Sequence, residues 1–206
     1  GRSINVRILD ETGALALLEE NLERLPLRHF QTLYEPAFDL THILRAIFRC
    51  KDEMITPEAY LAEAEAALMT ASGEAREVAE KALEVAQVYA VYEDALRKAD
   101  AVDFGDLVML SARLLETHPD VAAETQARFE HLLVDEYQDV NLASARLLHA
   151  LAKPGADVWV VADQRQSIYR FRGAEPSNVT RFPAEFSGAR RSLQYAGQVF
   201  RWAVAR

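Results

Sequence analysis

A single cysteine, Cys50, stands among the 206 residues. No internal disulfide can form, a cysteine-rich zinc site is excluded, and a reducing cytosol suits such a chain. No apolar run approaches the ~20 residues of a membrane span, and the N-terminus lacks the pattern of a secretion signal. The five histidines have no ligand-like spacing, and no repeat or low-complexity segment occurs. None of the eight glycines is followed by lysine, so the phosphate-cradling loop G-x-x-x-x-G-K-[ST] is missing from these residues. The sequence opens on Gly1 instead of Met and ends in "VFRWAVAR", which reads as the inside of a helix. A piece of a longer protein is expected.

Positive charge is also scarce, with a formal net charge of −9, but it is unevenly spread. Residues 1–100 carry 11 Lys and Arg against 19 Asp and Glu, a balance of −8. Residues 165–206 carry 8 Arg against Glu175 and Glu185, a balance of +6. Local clusters matter more for phosphate binding than the sum, so a nucleic-acid partner stays open through the C-terminal part.

Half of the residues are hydrophobic, enough for a sizeable core. Residues 1–100 read as mostly helical. "ETGALALLEENLERL" sets Leu15, Leu18, Leu22 and Leu25 at helical spacing. "FDLTHILRAIFRCKDEM" puts Ile43, Ile47 and Phe48 on one side, with Asp39 or Thr41 as a candidate cap. Thr56 caps a helix that Pro57 opens. A long helix follows through Val78, Ala82, Val85, Tyr89, Tyr92 and Leu96, and the acidic faces of these helices read as solvated. From residue 101 the character changes. "VDFGDLVMLSARLLETHP" is a helix followed by a proline turn; Asp103 and Asp106 could suggest a metal site, but a cap is the plainer reading because the segment opens a helix. Then come the apolar run "HLLVDE", the helical "NLASARLLHALAK" and the apolar run "VWVVAD". Strand, crossover helix, strand is the signature of a parallel sheet, and the fold class is α/β.

Both apolar runs end in acids, Asp135 and Glu136 on the first and Asp163 on the second. Ligands of open α/β sheets bind beyond the carboxyl ends of the strands. An adjacent acid pair there can serve a nucleoside-triphosphatase: the Asp holds Mg2+, and the Glu polarises the attacking water. Taken alone the signal is weak, and a solvated acid pair after a strand is the plainer reading.

It is not alone. "VDEYQD" is followed, one helix and one strand later, by "VVADQRQSIYRFRGA". Together these resemble motifs II and III of the UvrD/Rep/PcrA-type superfamily 1 DNA helicases and their RecB-type relatives. "NVRILDE" and "RAIFRCKDEMITPEAY" resemble parts of that family's 1B subdomain, and "VDFGDLV" its DF-x-DL element, so the likeness covers most of the chain. It implies an all-α inserted 1B-like subdomain at 1–100 and, at 101–206, the later half of a RecA-like P-loop ATPase domain, 1A. It also implies an ATP-dependent 3′-to-5′ translocase of single-stranded DNA, cytoplasmic, with Mg2+ and ATP as cofactors and single-stranded or junction DNA as partner.

Carried over by residue, the resemblance makes Asp135 the Mg2+ acid and Glu136 the catalytic base. Gln138 and Asp139 join the nucleotide to the DNA-contacting motifs. Gln166 senses the γ-phosphate, and Arg172 lies near the nucleotide. Tyr169, Arg170 and Phe171 belong to the DNA track. In an extended "SIYRFR", Tyr169 and Phe171 point one way and Ile168, Arg170 and Arg172 the other. Aromatic faces stack on bases regardless of sequence, as a motor requires, although core packing is the plainer use of the same pair.

Two departures from the family stand out. The phosphate loop is missing, so these residues alone are expected not to hydrolyse ATP. After "RRSLQ" the family shows an element close to NYRS, where "QYAGQVF" places Ala196 and Gly197. Either that arginine is lost, or the sequence skips a loop between Gln194 and Tyr195. A RecB- or AddA-like helicase-nuclease subunit and a non-catalytic DNA-binding or docking module are the alternative readings.

Overall fold

The computed structural model describes residues 5–30, 36–152, 157–163, 177–186, 189–194 and 199–204. They belong to two compact units, Gly1–Leu107 and Val108–Arg206.

In the first unit, helix starts follow capping chemistry. Asp10 accepts the backbone N–H of Gly13 at 2.8 Å and opens α1, Glu11–Glu20. The expected longer helix stops at Asn21, whose side chain turns back onto the Leu17 carbonyl, and a 3-10 turn at Leu22–Arg24 follows. Helix α2 spans Pro36–Asp52, so Asp39 and Thr41 lie inside it and are not its cap. The reason is Pro36: its fixed φ suits the first helical position, where an N–H is dispensable. Helix α3, Pro57–Thr70, has Thr56 as its cap, accepting from Ala59 N–H at 3.2 Å. Helix α4, Glu74–Lys98, begins at Gly73, whose φ of 59° favours glycine.

Two short strands, β1 (Arg7–Leu9) and β2 (Ala101–Asp103), pair in parallel across the ends of this helical unit. Leu18, Ile43, Ile47, Val88, Tyr89, Tyr92 and Leu96 are buried together in its core. Val78, expected on the apolar face of α4, is 68% exposed. The acidic faces are not all solvated either. Glu84 is buried and accepts the backbone N–H groups of His29 and Phe30, at 2.9 and 3.2 Å.

Helix α5, Phe104–Thr117, leads into the second unit. Pro119 makes no simple turn: it opens a further helix, α6, Pro119–Gln126. Strand β3 (His131–Val134), helix α7 (Leu142–Leu151) and strand β4 (Asp157–Asp163) form the expected crossover, with β3 and β4 parallel and Leu133 opposite Trp159. Arg146 grips Glu116 through two bonds of 2.7 Å, tying α7 to α5. Helix α8 is Ser177–Glu185, and strands β5 (Ala189–Gln194) and β6 (Val199–Val204) complete the sheet in the order β3-β4-β6-β5.

Two expectations are corrected. "VFRWAVAR" holds a strand, not a helix, consistent with β-branched and aromatic residues at Val199, Phe200, Trp202 and Val204. The sheet is therefore mixed and not parallel throughout, because β6 runs antiparallel to both β4 and β5. A close antiparallel return needs no crossover helix.

Alternation along β3 and β4 sets the core of this unit. Val158, Val160 and Ala162 are buried with Tyr137, Leu148, Val179 and Phe182, and Leu132 and Val134 pack against them. On the opposite face, Leu133 is 78% and Trp159 44% exposed.

Candidate active site

The acid pair sits where β3 ends. Val134 is the last strand residue, Asp135 follows, and Glu136 adopts a left-handed backbone at φ 53° and ψ 40°. A non-glycine residue there costs roughly 1–3 kcal/mol, a strain that persists only where the surroundings hold it. Several contacts hold it. The Asp135 Oδ1 accepts the Glu136 backbone N–H at 2.9 Å. Tyr137, fully buried, anchors the next turn by meeting Phe182 edge-on at 5.5 Å between ring centres. The 3-10 turn Tyr137–Asp139 then returns the chain toward α7, which Asn141 caps by accepting Ser144 N–H at 2.8 Å.

Gln138 makes the central connection. Its side chain is 0% exposed, and both ends of its amide are used. The Nε2 donates to the Glu136 Oε2. The Oε1 accepts the backbone N–H of Asp163, the last residue of β4, at 2.8 Å. One buried amide thus fixes the Glu136 carboxylate and links the carboxyl ends of the two parallel strands. A buried polar side chain with donor and acceptor both satisfied sets position more strictly than an apolar contact could.

Asp135 and Glu136 are both exposed, so solvent and ligand can reach them. The neighbouring Asp139 has a buried Oδ1 without a hydrogen-bond partner among the described residues. Removal from water, and then repulsion by Glu136, raise its carboxyl above the usual carboxylate range.

Among the described residues, no group of three or more His, Cys, Asp or Glu is placed to hold a metal ion. That donor set fits Mg2+ all the same. Mg2+ keeps several waters and is commonly bound through one or two carboxylates together with substrate phosphates, not in an all-protein cage. Asp135 would supply such a carboxylate oxygen.

The structure therefore brings together Asp135, Glu136, Gln138 and Asp139 of the expected site residues. Gln166, Tyr169, Arg170, Phe171 and Arg172 lie outside the described residues, as do residues 195–198, where the question of the missing arginine falls. Sequence reasoning missed the anchoring role of Tyr137 and the acceptor bond to Asp163. The only signal for either was an aromatic between the acid pair and a glutamine.

No helix among the described residues is long and apolar enough to cross a membrane. The UvrD/REP helicase N-terminal domain family matches residues 1–187. The ATP-dependent DNA helicase PcrA of Leuconostoc citreum is 33% identical over 189 residues, covering 92% of this chain and 23% of the relative. The Bacillus subtilis helicase of the same name gives the same identity and coverage. The ATP-dependent DNA helicase Rep of Escherichia coli is 31% identical over 186 residues, covering 90% of this chain and 25% of the relative. The chain thus spans about a quarter of the length of these curated relatives.

Proposed function

This chain belongs to the UvrD/REP helicase N-terminal domain family, and from that premise we propose that it forms part of an ATP-dependent DNA helicase. In this reading, it supplies the metal-binding and water-activating half of the ATPase site. Residues 1–100 form the 1B-like inserted subdomain, and residues 101–206 the later half of the RecA-like domain 1A. The observation that carries the reading is the exposed Asp135–Glu136 pair at the end of a parallel strand, with Glu136 held by a buried glutamine.

The chemistry follows from the atoms. Bound Mg2+ would neutralise charge on the phosphate oxygens. Asp135 offers a carboxylate oxygen to it while Oδ1 steadies the Glu136 amide. Gln138 engages the Glu136 Oε2, which leaves Oε1 to accept a proton from the attacking water. Because Gln138 also bonds the end of β4, Glu136 is coupled to the segment that leads directly into "QRQSIYRFRGA". In that segment Gln166 and Arg172 act at the nucleotide, and Tyr169, Arg170 and Phe171 along single-stranded DNA. Translocation is 3′-to-5′, and the work belongs to DNA repair, recombination or replication.

A DNA-binding measurement tests the C-terminal part of this proposal. The chain is expected to bind single-stranded DNA at low salt, with affinity falling linearly in log–log form as salt rises, by about 0.7 per neutralised phosphate. Tyr169→Ala is expected to weaken binding by about 1–3 kcal/mol, the value of one stacked base. No binding at low salt would sink the role given to the 165–206 basic segment.

A further inference from the structure

Behind the acid pair, helix α8 holds the turn on which Glu136 depends. Asn178, in the first turn of α8, is 4% exposed. A side-chain amide is costly to bury unless it is bonded. The Asn178 Nδ2 donates to the Val140 carbonyl at 2.9 Å, 38 residues back in the chain. Val140 closes the 3-10 turn Tyr137–Asp139, and its own N–H returns to the Tyr137 carbonyl at 3.3 Å. At the other end of the turn, Tyr137 meets Phe182 of α8 edge-on. Helix α8 thus grips the turn at its first residue and at the residue after its last. Gln138 lies between the two grips.

The helix is itself well anchored. Val179 and Phe182 are buried together with Val158, Val160 and Ala162 of β4. Phe182 stacks on Phe186, just past the end of α8, at 4.5 Å between ring centres. Phe186 in turn stacks on His149 of α7 at 4.3 Å. What this support fixes is the place of Gln138. Its amide meets the Glu136 Oε2 at one end and the Asp163 N–H at the other. Two hydrogen bonds made at once tolerate little movement of the backbone that carries them. Of the two grips on that backbone, the Asn178 bond is the directional one.

We propose that Asn178 is a positioning residue for ATP hydrolysis, setting the direction of the Glu136 carboxylate through Val140, the turn and the Gln138 amide. The proposal rests on the reading of Glu136 as the base. Asn178 holds the end of the turn, the turn holds Gln138, and Gln138 holds the Glu136 Oε2, so that Oε1 is left for the water. Without the Nδ2 donor, the turn can rock about the Tyr137 contact. Gln138 then no longer meets Glu136 and Asp163 together.

Amide NMR of the 206-residue chain gives the first test. Asn178→Ala is expected to shift the Glu136 and Gln138 side-chain signals. Hydrogen exchange at the Asp163 N–H should quicken severalfold to about tenfold, the equivalent of one lost hydrogen bond. Amides inside α7 should keep their protection. Asn178→Asp, measured at alkaline pH, keeps the side-chain shape without the donor and should act alike, which separates the bond from packing. Unchanged exchange at Asp163 in both variants would overturn the proposal. So would an equal rise in α7, which would make Asn178 a support of the fold alone. Kinetics gives the second test, in a polypeptide that joins the chain to a phosphate loop. There Asn178→Ala should lower kcat by about tenfold to a hundredfold, with KM for ATP unchanged. Glu136→Gln measured beside it keeps the two claims apart. Full turnover in Glu136→Gln would remove the base, and the proposal with it. Lost turnover in Glu136→Gln with undiminished kcat in Asn178→Ala would overturn the role of Asn178 alone.

Discussion

Replacing Glu136 by glutamine is expected to slow ATP turnover by about a hundred- to ten-thousand-fold, the range for losing a general base. This applies to a polypeptide that joins the chain to a phosphate loop. Nucleotide binding should persist. The variant keeps an oxygen that can accept the Gln138 Nε2 hydrogen bond, so the turn and its link to β4 need not move. What disappears is the capacity to accept a proton from the attacking water. A general base can therefore be told from a merely structural acid by measuring both quantities. Lost turnover with an unchanged nucleotide dissociation constant is the expected pair. Equal losses in binding and turnover would make Glu136 a binding residue.

Lys51→Met is the second large effect, and it falls on stability. Removing one partner of a buried ionic cluster leaves the others uncompensated, which typically costs about 3–5 kcal/mol. Here three carboxylates, of Glu93, Asp103 and Asp106, would lose the ammonium that each touches within 2.8 Å. Against a typical stability of roughly 5–15 kcal/mol for a whole protein, the helical unit would lose a large share. Urea unfolding followed by far-ultraviolet circular dichroism measures the loss. Neutralising Asp103 and Asp106 to asparagine in the Lys51→Met chain should restore part of it. A Lys51→Met cost below about 1 kcal/mol, in the range of an exposed salt bridge, would contradict the cluster as described.

The crossover unit was legible in the sequence because its two patterns differ in period. "HLLV" and "VWVVAD" are short apolar runs, and "NLASARLLHALAK" repeats at helical spacing, so β3, α7 and β4 came out in order. "VFRWAVAR" was ambiguous, since a short apolar run fits a buried strand or a helix, and pairing with β4 and β5 is a tertiary fact. The start of α2 was misplaced because Asp39 and Thr41 look like caps, while Pro36 had already begun the helix. The place of Asp135 and Glu136 just past a strand could be read from the apolar run that ends in them. The left-handed backbone of Glu136 and the bond from Asp163 N–H to Gln138 could not, since neither a strained dihedral nor a backbone partner 25 residues away is written in residue types. The same limit applies to Lys51. Asp103 and Asp106 were read correctly as a cap, but the lysine they share lies 52 and 55 residues earlier in the chain.

In the proposed function, labour would be divided: Asp135 and Glu136 would hold the metal and the water, and a phosphate cradle would have to come from other residues, since no Gly-Lys pair occurs here. Steady-state ATP hydrolysis by the purified 206-residue chain, with and without single-stranded DNA, tests that division most directly. No turnover above background is predicted in either condition. Robust DNA-stimulated hydrolysis by these residues alone, abolished by Glu136→Gln, would contradict it.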